Sequence, residues 1–156
     1  MIKRLMLTIA ILFGACAVFA NAGHVIDDSK NPRYLFILTA DTGSFKDGKL
    51  TLNGIPIVAF YALGVKREAG HFFVEDFIKI WNTKAVLLKA DPPNGTLNVV
   101  EDGKSFSCVI ELSDPGAGVN AITFRARVLE GELPDSFGPS SLFLDMNVKS
   151  SLGTEN

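Results

Sequence analysis

Apolar and polar residues alternate in short runs along much of this chain, a pattern typical of β-strands that bury one side. Residues 121–130 show it most clearly, with apolar residues on one side of the strand and threonine and arginines on the other. Residues 34–40 form a short apolar run, long enough for a buried strand and too short for a helix. Residues 57–61 and 142–148 are further strand segments. We expect about eight short strands in all.

Turn sequences separate these strands. Residues 46–49 (Lys-Asp-Gly-Lys) and 101–104 (Glu-Asp-Gly-Lys) both contain Asp-Gly, which favours tight hairpins because both central residues adopt positive φ. Residues 114–118 and 131–140 are rich in Pro and Gly, and we expect irregular loops there. Residues 85–88 are predicted to be a short strand.

One segment has helical periodicity and predicts a helix over about residues 72–82. Four apolar residues share one stripe of this helix: Phe73, Phe77, Ile80 and Trp81. We expect the stripe to pack against the core rather than line a ligand pocket. Short strands, Asp-Gly hairpins and one helix together predict a mainly β, single-domain antiparallel β-sandwich or partly open barrel, with the helix covering an open edge or end.

The first twenty-two residues have the organisation of a secretory signal peptide. Lys3 and Arg4 precede an apolar run over residues 5–19, and Ala-Asn-Ala at residues 20–22 matches the small-x-small cleavage pattern. The apolar run is shorter than the span of about 20 residues that crosses a membrane. We therefore expect cleavage after Ala22 and a periplasmic or secreted protein with no transmembrane segment.

Two cysteines occur, one in the leader and one in the domain. Cys16 follows Phe-Gly-Ala, which approximates a lipoprotein processing box, so a lipid anchor at Cys16 is an alternative to cleavage after Ala22. Cys108 is the only cysteine after the leader, which excludes an intramolecular disulfide in the mature chain. We predict that Cys108 is a buried core residue, with a reactive thiol or an intermolecular bridge as the alternatives.

Size and charge narrow the class of protein. Three parts follow the leader: a flexible lead-in at residues 23–32, a single β-rich domain over residues 33–148 and a polar tail at residues 149–156. The whole chain carries a net charge of −2, and loss of the two basic leader residues lowers it to −4. Because no Lys/Arg cluster occurs, we expect neither nucleic-acid binding nor docking on an anionic membrane.

Motifs of catalysis and metal binding are missing from the sequence. The two histidines, His24 and His71, have no zinc-ligand spacing, and no nucleophile elbow, Walker loop or dinucleotide fingerprint occurs. We predict no cofactor, no metal and no catalytic residue. Arg125 and Arg127 share one strand face, where they form either surface ion pairs with neighbouring acids, the favoured interpretation, or an anion site.

One block of the sequence is specific enough to suggest a family. It contains Phe60-Tyr61, Arg67 and Gly70, then Phe77 and Trp81, then Asp91-Pro92-Pro93-Asn94. The block resembles an uncharacterised family of small secreted bacterial proteins, in which an aromatic strand enters a Ser-Asp-Arg-Pro-x-Arg loop ending in Gly, followed by a Phe/Trp helix and an Asp-Pro-Pro-Asn turn. Residues 62–66 (Ala-Leu-Gly-Val-Lys) replace the family's polar segment. The resemblance implies a secreted protein of this fold and no reaction.

Loops on a rigid scaffold often carry function, and we expect one binding surface to run from the loop at residues 65–70 to the turn at residues 91–94. Its candidate binding residues are Arg67, His71, Asp91 and Asn94. The sequence thus favours an exported, non-catalytic binding or interaction protein whose partner is a protein or a small molecule. Two alternatives stay open: a small hydrolase using His71 as base with Asp91 or Asp76, and an envelope or matrix structural component, which predicts an exposed apolar patch or an open sheet edge.

Overall fold

The computed structural model describes residues 33–63, 67–101 and 103–146. The signal peptide, the possible lipid anchor at Cys16, the lead-in and the polar tail predicted above lie outside these residues. The described chain forms twelve elements in this order: β1 (Arg33–Ala40), β2 (Thr42–Lys46), β3 (Lys49–Asn53), β4 (Val58–Leu63), β5 (Ala69–Phe72), α1 (Val74–Thr83), α2 (Ala85–Ala90), β6 (Asn94–Glu101), β7 (Lys104–Gly118), β8 (Ala121–Glu130), β9 (Ser136–Phe137) and β10 (Ser140–Met146).

All ten strands belong to one antiparallel sheet. Their spatial order is β5-β4-β1-β10-β6-β7-β8-β3-β2-β9. The sheet is not closed into a barrel, so β5 and β9 are its two edges. The predicted mainly β, antiparallel fold is confirmed, in the form of a single open sheet.

The core lies on one face of this sheet, which we call the inner face. Opposed residues of neighbouring antiparallel strands point to the same face. One such row crosses four strands, β1, β10, β6 and β7: Leu38, Leu142, Leu97 and Cys108. All four side chains are buried. The alternation of apolar residues in the sequence therefore marks the inner face correctly.

Helix α1 covers the inner face through two aromatic residues. The Phe77 ring lies 5.2 Å from the Phe36 ring of β1, and the Trp81 ring lies 5.7 Å from the Phe124 ring of β8. On a flat sheet β1 and β8 would be about 19 Å apart, four strand spacings. Phe77 and Trp81 are only one helical turn apart, with ring centroids 6.0 Å from each other. The sheet therefore curves around α1.

Both predicted Asp-Gly hairpins form. Lys46 pairs directly with Lys49, and the two turn residues between them have φ values of 52° and 73°. These positive angles define the turn that matches the right-handed twist of the strands. In the second hairpin Glu101 pairs with Lys104, and Gly103 has φ 72°. Local sequence is enough to form these turns because their geometry involves few residues.

Four local predictions are wrong. Residues 85–88 belong to helix α2 instead of a strand, because α2 continues directly from α1 after a single turn residue. Residues 114–118 are the end of the long strand β7, where a β-bulge accommodates the Pro and Gly residues without ending the ladder. Residues 131–140 contain the short strand β9, which pairs with β2. Part of the loop predicted at residues 65–70 is the start of strand β5.

The aromatic stripe of α1 is shorter than predicted. Phe77 and Trp81 are buried, as expected. Phe73, however, is 62% exposed because it is the N-cap residue, with extended backbone (φ −70°, ψ 157°), and so does not follow the helical periodicity. His71, expected at the helix start, lies instead on β5.

Cys108 is buried as predicted, and burial raises the pKa of its thiol, which disfavours the reactive thiolate.

Neither α1 nor α2, the helices of the described residues, is long and apolar enough to cross a membrane.

Candidate binding surfaces on the outer face

The face opposite the core, the outer face, has an apolar half. Five side chains of β1, β4 and β10 form what we call the apolar patch: Leu35, Ile37, Tyr61, Leu63 and Phe143. They are neighbours because Leu35 pairs with Tyr61 and Ile37 pairs with Phe143. Tyr61, Leu63 and Phe143 are 37–38% exposed, so the patch presents a continuous apolar surface to solvent.

Strand β5 forms an open edge beside this patch. The Ala62 N–H donates to the Glu68 carbonyl at 2.7 Å, which identifies these two residues as a hydrogen-bonded pair between the β4 and β5 segments. Since hydrogen-bonded and non-bonded pairs alternate in antiparallel strands, Gly70 and Phe72 also bond to β4. Ala69 and His71 therefore direct their N–H and C=O groups away from β4, toward the open edge. This edge offers two residues as a template for a further strand.

A charged pair borders the apolar patch. Arg33 of β1 and Asp145 of β10 form an ion pair, in which the guanidinium donates to the carboxylate. Both side chains are about half exposed, so the pair adds little stability. An apolar centre with polar groups around it is the common composition of a protein interface.

The other half of the outer face is charged. A groove of about 590 Å³ runs over β3, β7 and β8. Six charged residues line this charged groove: Asp47, Lys49, Glu111, Asp114, Arg125 and Arg127. The groove belongs to the outer face because Lys49, Arg125 and Arg127 alternate with the buried residues of their strands.

The two arginines of the groove form the surface ion pairs that the sequence predicts. Arg127 donates two hydrogen bonds to Glu111, at 2.9 and 3.2 Å, and these bonds raise the pKa of the guanidinium. The Nε atom of Arg125 lies 3.4 Å from Oδ2 of Asp114, and both side chains are more than three-quarters exposed. Asp114 is a bulge residue with φ 47°, so the irregularity in β7 places its carboxylate near Arg125. The second pair is the looser one.

The four predicted binding residues do not lie at one place. Arg67 precedes β5 and His71 lies on it, beside the apolar patch. Asp91 follows α2, and Asn94 begins β6 directly opposite Glu111 of the charged groove. Strands β4, β1 and β10 separate β5 from β6, so these two strands are four strand spacings apart, about 19 Å along the sheet. These four residues are close in the sequence, but they do not form one surface.

The hydrolase hypothesis requires His71 to bond to a carboxylate or hydroxyl. His71 is exposed, and it forms no hydrogen bond or ion pair with any described residue. The buried Ser140 hydroxyl also has no hydrogen-bond partner in the described part of the chain. No group of three or more His, Cys, Asp or Glu side chains within residues 33–63, 67–101 and 103–146 is arranged to hold a metal ion.

The sequence patterns predict neither the apolar patch nor the place of Lys49 in the charged groove. One signal for the patch exists in β1: residues 34–38 are apolar at odd and even positions alike, which is typical of a strand covered on both faces. The groove has no such signal, because its strands are brought together only by the fold.

Comparison with known proteins gives no relative. No protein-family model matches the chain, and no match was found among the curated proteins or the solved structures. The two halves of the outer face are therefore the features that bear on function.

Proposed function

We propose that this protein is an exported, non-catalytic interaction module that binds a partner protein over the apolar patch and the open edge of β5. The observation that carries the proposal is the continuity of these two features on one side of the sheet. Export to the periplasm or the exterior, with cleavage after Ala22, is part of the proposal and rests on the leader sequence.

The composition of β1 and β4 supports a covered outer face. Every residue from 34 to 38 and from 58 to 63 is apolar or aromatic, whichever face it points to. Such strands occur mainly where both faces of a sheet are covered. The inner face is covered by α1 and the core, whereas the outer face leaves Tyr61, Leu63 and Phe143 partly exposed. A bound partner would supply the missing cover.

The occupant that best matches this surface is an extended segment of another protein. It would add a strand beside β5, bonding to the backbone groups of Ala69 and His71, and would place apolar side chains on Tyr61 and Leu63. In this mode of recognition main-chain hydrogen bonds supply affinity and side-chain contacts supply specificity.

The test uses two substitutions at one position of the edge. His71→Pro removes the outward N–H but leaves the β4 ladder intact, since His71 does not bond to β4. His71→Thr removes the imidazole and keeps the N–H. Proteins captured by the wild type from periplasmic and secreted fractions should be lost with His71→Pro and retained with His71→Thr. Retention by both variants, or loss by both, would contradict strand addition.

Amide hydrogen exchange on a purified complex gives an independent measurement. The amides of Ala69 and His71 should become protected on binding, whereas those of Gly70 and Phe72 are already bonded and should change less. Binding that leaves the Ala69 and His71 amides unprotected would mean that the partner occupies another surface.

A second candidate is the envelope or matrix structural component, which the open edge also favours. In that case the added strand comes from another copy of this chain. Sedimentation equilibrium of the purified protein distinguishes the two: concentration-dependent self-association that His71→Pro abolishes supports the structural component, and a monomer at all concentrations supports the partner protein.

A further inference from the structure

We infer that the charged half of the outer face binds a linear acidic polysaccharide through a row of cations formed by Lys46, Lys49 and Arg125. This site is separate from the apolar patch and does not depend on it. Lys46 is directly opposite Lys49 in the β2–β3 hairpin, and Lys49 is directly opposite Arg125 in the β3–β8 pair. The three residues share the outer face of three neighbouring strands.

Like charges placed directly opposite each other in a sheet destabilise it, because their Cβ atoms are only about 4.5–5.5 Å apart. The turn does not require this arrangement. The other Asp-Gly hairpin of this molecule has Glu101 opposite Lys104, an acid with a base, at the same two positions. An Asp-Gly hairpin therefore does not need like charges at these two positions, and the row of cations is specific to the β2–β3 hairpin and β8.

Neighbouring acids leave the row with a positive charge. Asp114 pairs with Arg125 through a single long contact, and Glu111 is committed to two hydrogen bonds with Arg127. Lys46 and Lys49 form no ion pair or side-chain hydrogen bond with any described residue, the adjacent Asp47 included. Glu111 and Arg127 neutralise each other, and Lys46, Lys49 and Arg125 set against Asp47 and Asp114 leave the row with a net charge of +1.

The geometry of the row determines the ligand class. Three adjacent strands place the cations across about 10 Å, with one charge for each strand spacing of about 4.8 Å. The groove beside them is open and shallow and has the volume of a small-ligand site. A regular row of cations that crosses the sheet and has two of its members, Lys49 and Arg125, in an open groove matches a chain with one carboxylate or sulfate for each sugar unit. Nucleic acid matches less well, because the groove exposes no aromatic ring on which bases could stack.

The test measures binding of the purified full-length protein to four probes at low ionic strength by calorimetry. The probes are an oligogalacturonate, a sulfated oligosaccharide of equal length, inorganic sulfate and a single-stranded oligonucleotide. Either oligosaccharide should bind much more tightly than inorganic sulfate, and the affinity should fall as salt is added. Tighter binding of the oligonucleotide, or equal binding of inorganic sulfate, would overturn the proposal.

A matched pair of variants locates the site. Lys49→Glu and Lys104→Glu make the same charge change in the two Asp-Gly hairpins. Lys49→Glu should weaken oligosaccharide binding by about tenfold or more, as expected for loss of a charged contact. Lys104→Glu should leave the affinity within about twofold when both variants are compared at an ionic strength of about 0.1 M, where salt screens charges more than about 10 Å apart. Lys104 is nine residues along β7 from Ser113, the partner of Arg125. Equal losses in both variants, or no loss in Lys49→Glu, would show that the row is not the site. The Lys49→Glu protein should melt at the same temperature as the wild type or higher, which separates lost binding from lost folding.

Discussion

The two halves of the outer face share one hydrogen-bonded ladder and one core, yet their surface chemistry is opposite. On β1 and β4 the outward positions hold pairs such as Leu35 and Tyr61, whereas on β3 and β8 they hold Lys49 and Arg125. The inward positions of both halves are alike, because each must fill the same core. Packing of the core constrains only the inward residues. The outward residues can therefore differ between the two halves, according to what each half contacts.

The largest effect should come from the helix that joins the two halves. Phe77→Ala removes a ring that packs between Phe36 and Trp81, and should cost about 3–5 kcal/mol of unfolding free energy. Phe73→Ala, at the exposed N-cap that precedes the same helix, should cost less than about 0.5 kcal/mol. Urea unfolding followed by Trp81 fluorescence and by circular dichroism measures both. Two separate transitions in the wild type would show that the halves do not share one core.

The next effect concerns the edge of the charged half, which β9 covers. A side chain at Gly43 would collide with the ring of Phe137. Gly43→Val should therefore displace β9, lower stability by about 1–3 kcal/mol and speed amide exchange in β2. Ser44→Val, one residue along on the outer face, is the control and should keep β9 in place. Slow exchange in β2 of the Gly43→Val protein would contradict this account of the edge.

A charge placed in the apolar patch should affect partner binding more than stability. Leu63→Lys should weaken binding of a captured partner by about 2 kcal/mol, the size of an interface hot spot. Its unfolding free energy should stay within about 0.5 kcal/mol of the wild type, because Leu63 is already partly exposed. Thr51→Lys adds the same charge to the charged half and should leave partner affinity unchanged. Equal losses of affinity in both variants would remove the distinction between the halves.

A smaller effect should follow from exchanging the charge patterns of the two hairpins. Lys49→Glu removes two like-charge pairs, those with Lys46 and Arg125, and should stabilise the protein by about 0.2–1 kcal/mol for each pair. Glu101→Lys creates one such pair with Lys104 and should destabilise the protein by about 0.2–1 kcal/mol. Thermal melting at low salt measures both shifts, and both should shrink as salt is added. Shifts of the same sign in the two variants would mean that cross-strand charge is not their cause.

The smallest effect is a loss of stability above neutral pH. It comes from two buried titratable groups, Cys108 beneath the charged half and Tyr34 beneath the apolar half. Burial raises the pKa of Cys108, and burial together with Glu68 raises the pKa of Tyr34. Because the folded state holds these protons more tightly, their contribution is complete below the unfolded-state pKa values, about 8.5 and 10, and is lost as pH rises beyond them. Urea midpoints should fall between pH 8 and 10 in the wild type. The fall should be shallower in Cys108→Ala, and an equal fall would contradict the assignment.

Local patterns in the sequence were sufficient for most of the elements. The strands β1 and β8 and the two Asp-Gly hairpins follow from residues that are neighbours in the chain, and so does α1 with buried Phe77 and Trp81. Where local patterns are ambiguous, packing decided. Residues 85–88 are compatible with either a strand or a helix, and their continuity with α1 selected the helix. The Pro and Gly residues of 114–118 suit a loop, and pairing with β8 retained them in a bulged strand.

The candidate site was less predictable than the fold. Arg67, His71, Asp91 and Asn94 are close in sequence, but α1 and α2 intervene and carry the chain from β5 across to β6. The first two residues therefore border the apolar patch, and Asn94 borders the charged groove. Binding by any of these four residues stays a prediction.

The sequence by itself determined which residues of each strand point inward, where the hairpins turn and which helix residues enter the core, because these depend on periodicity and on the conformations of a few adjacent residues. Only the tertiary structure decided which strand became an open edge and which outward side chains became neighbours. Ile37 pairs with Phe143, and Lys49 pairs with Arg125, although the partners are far apart in the sequence. Such pairs are selected by strand order and register, which the packing of the whole sheet sets.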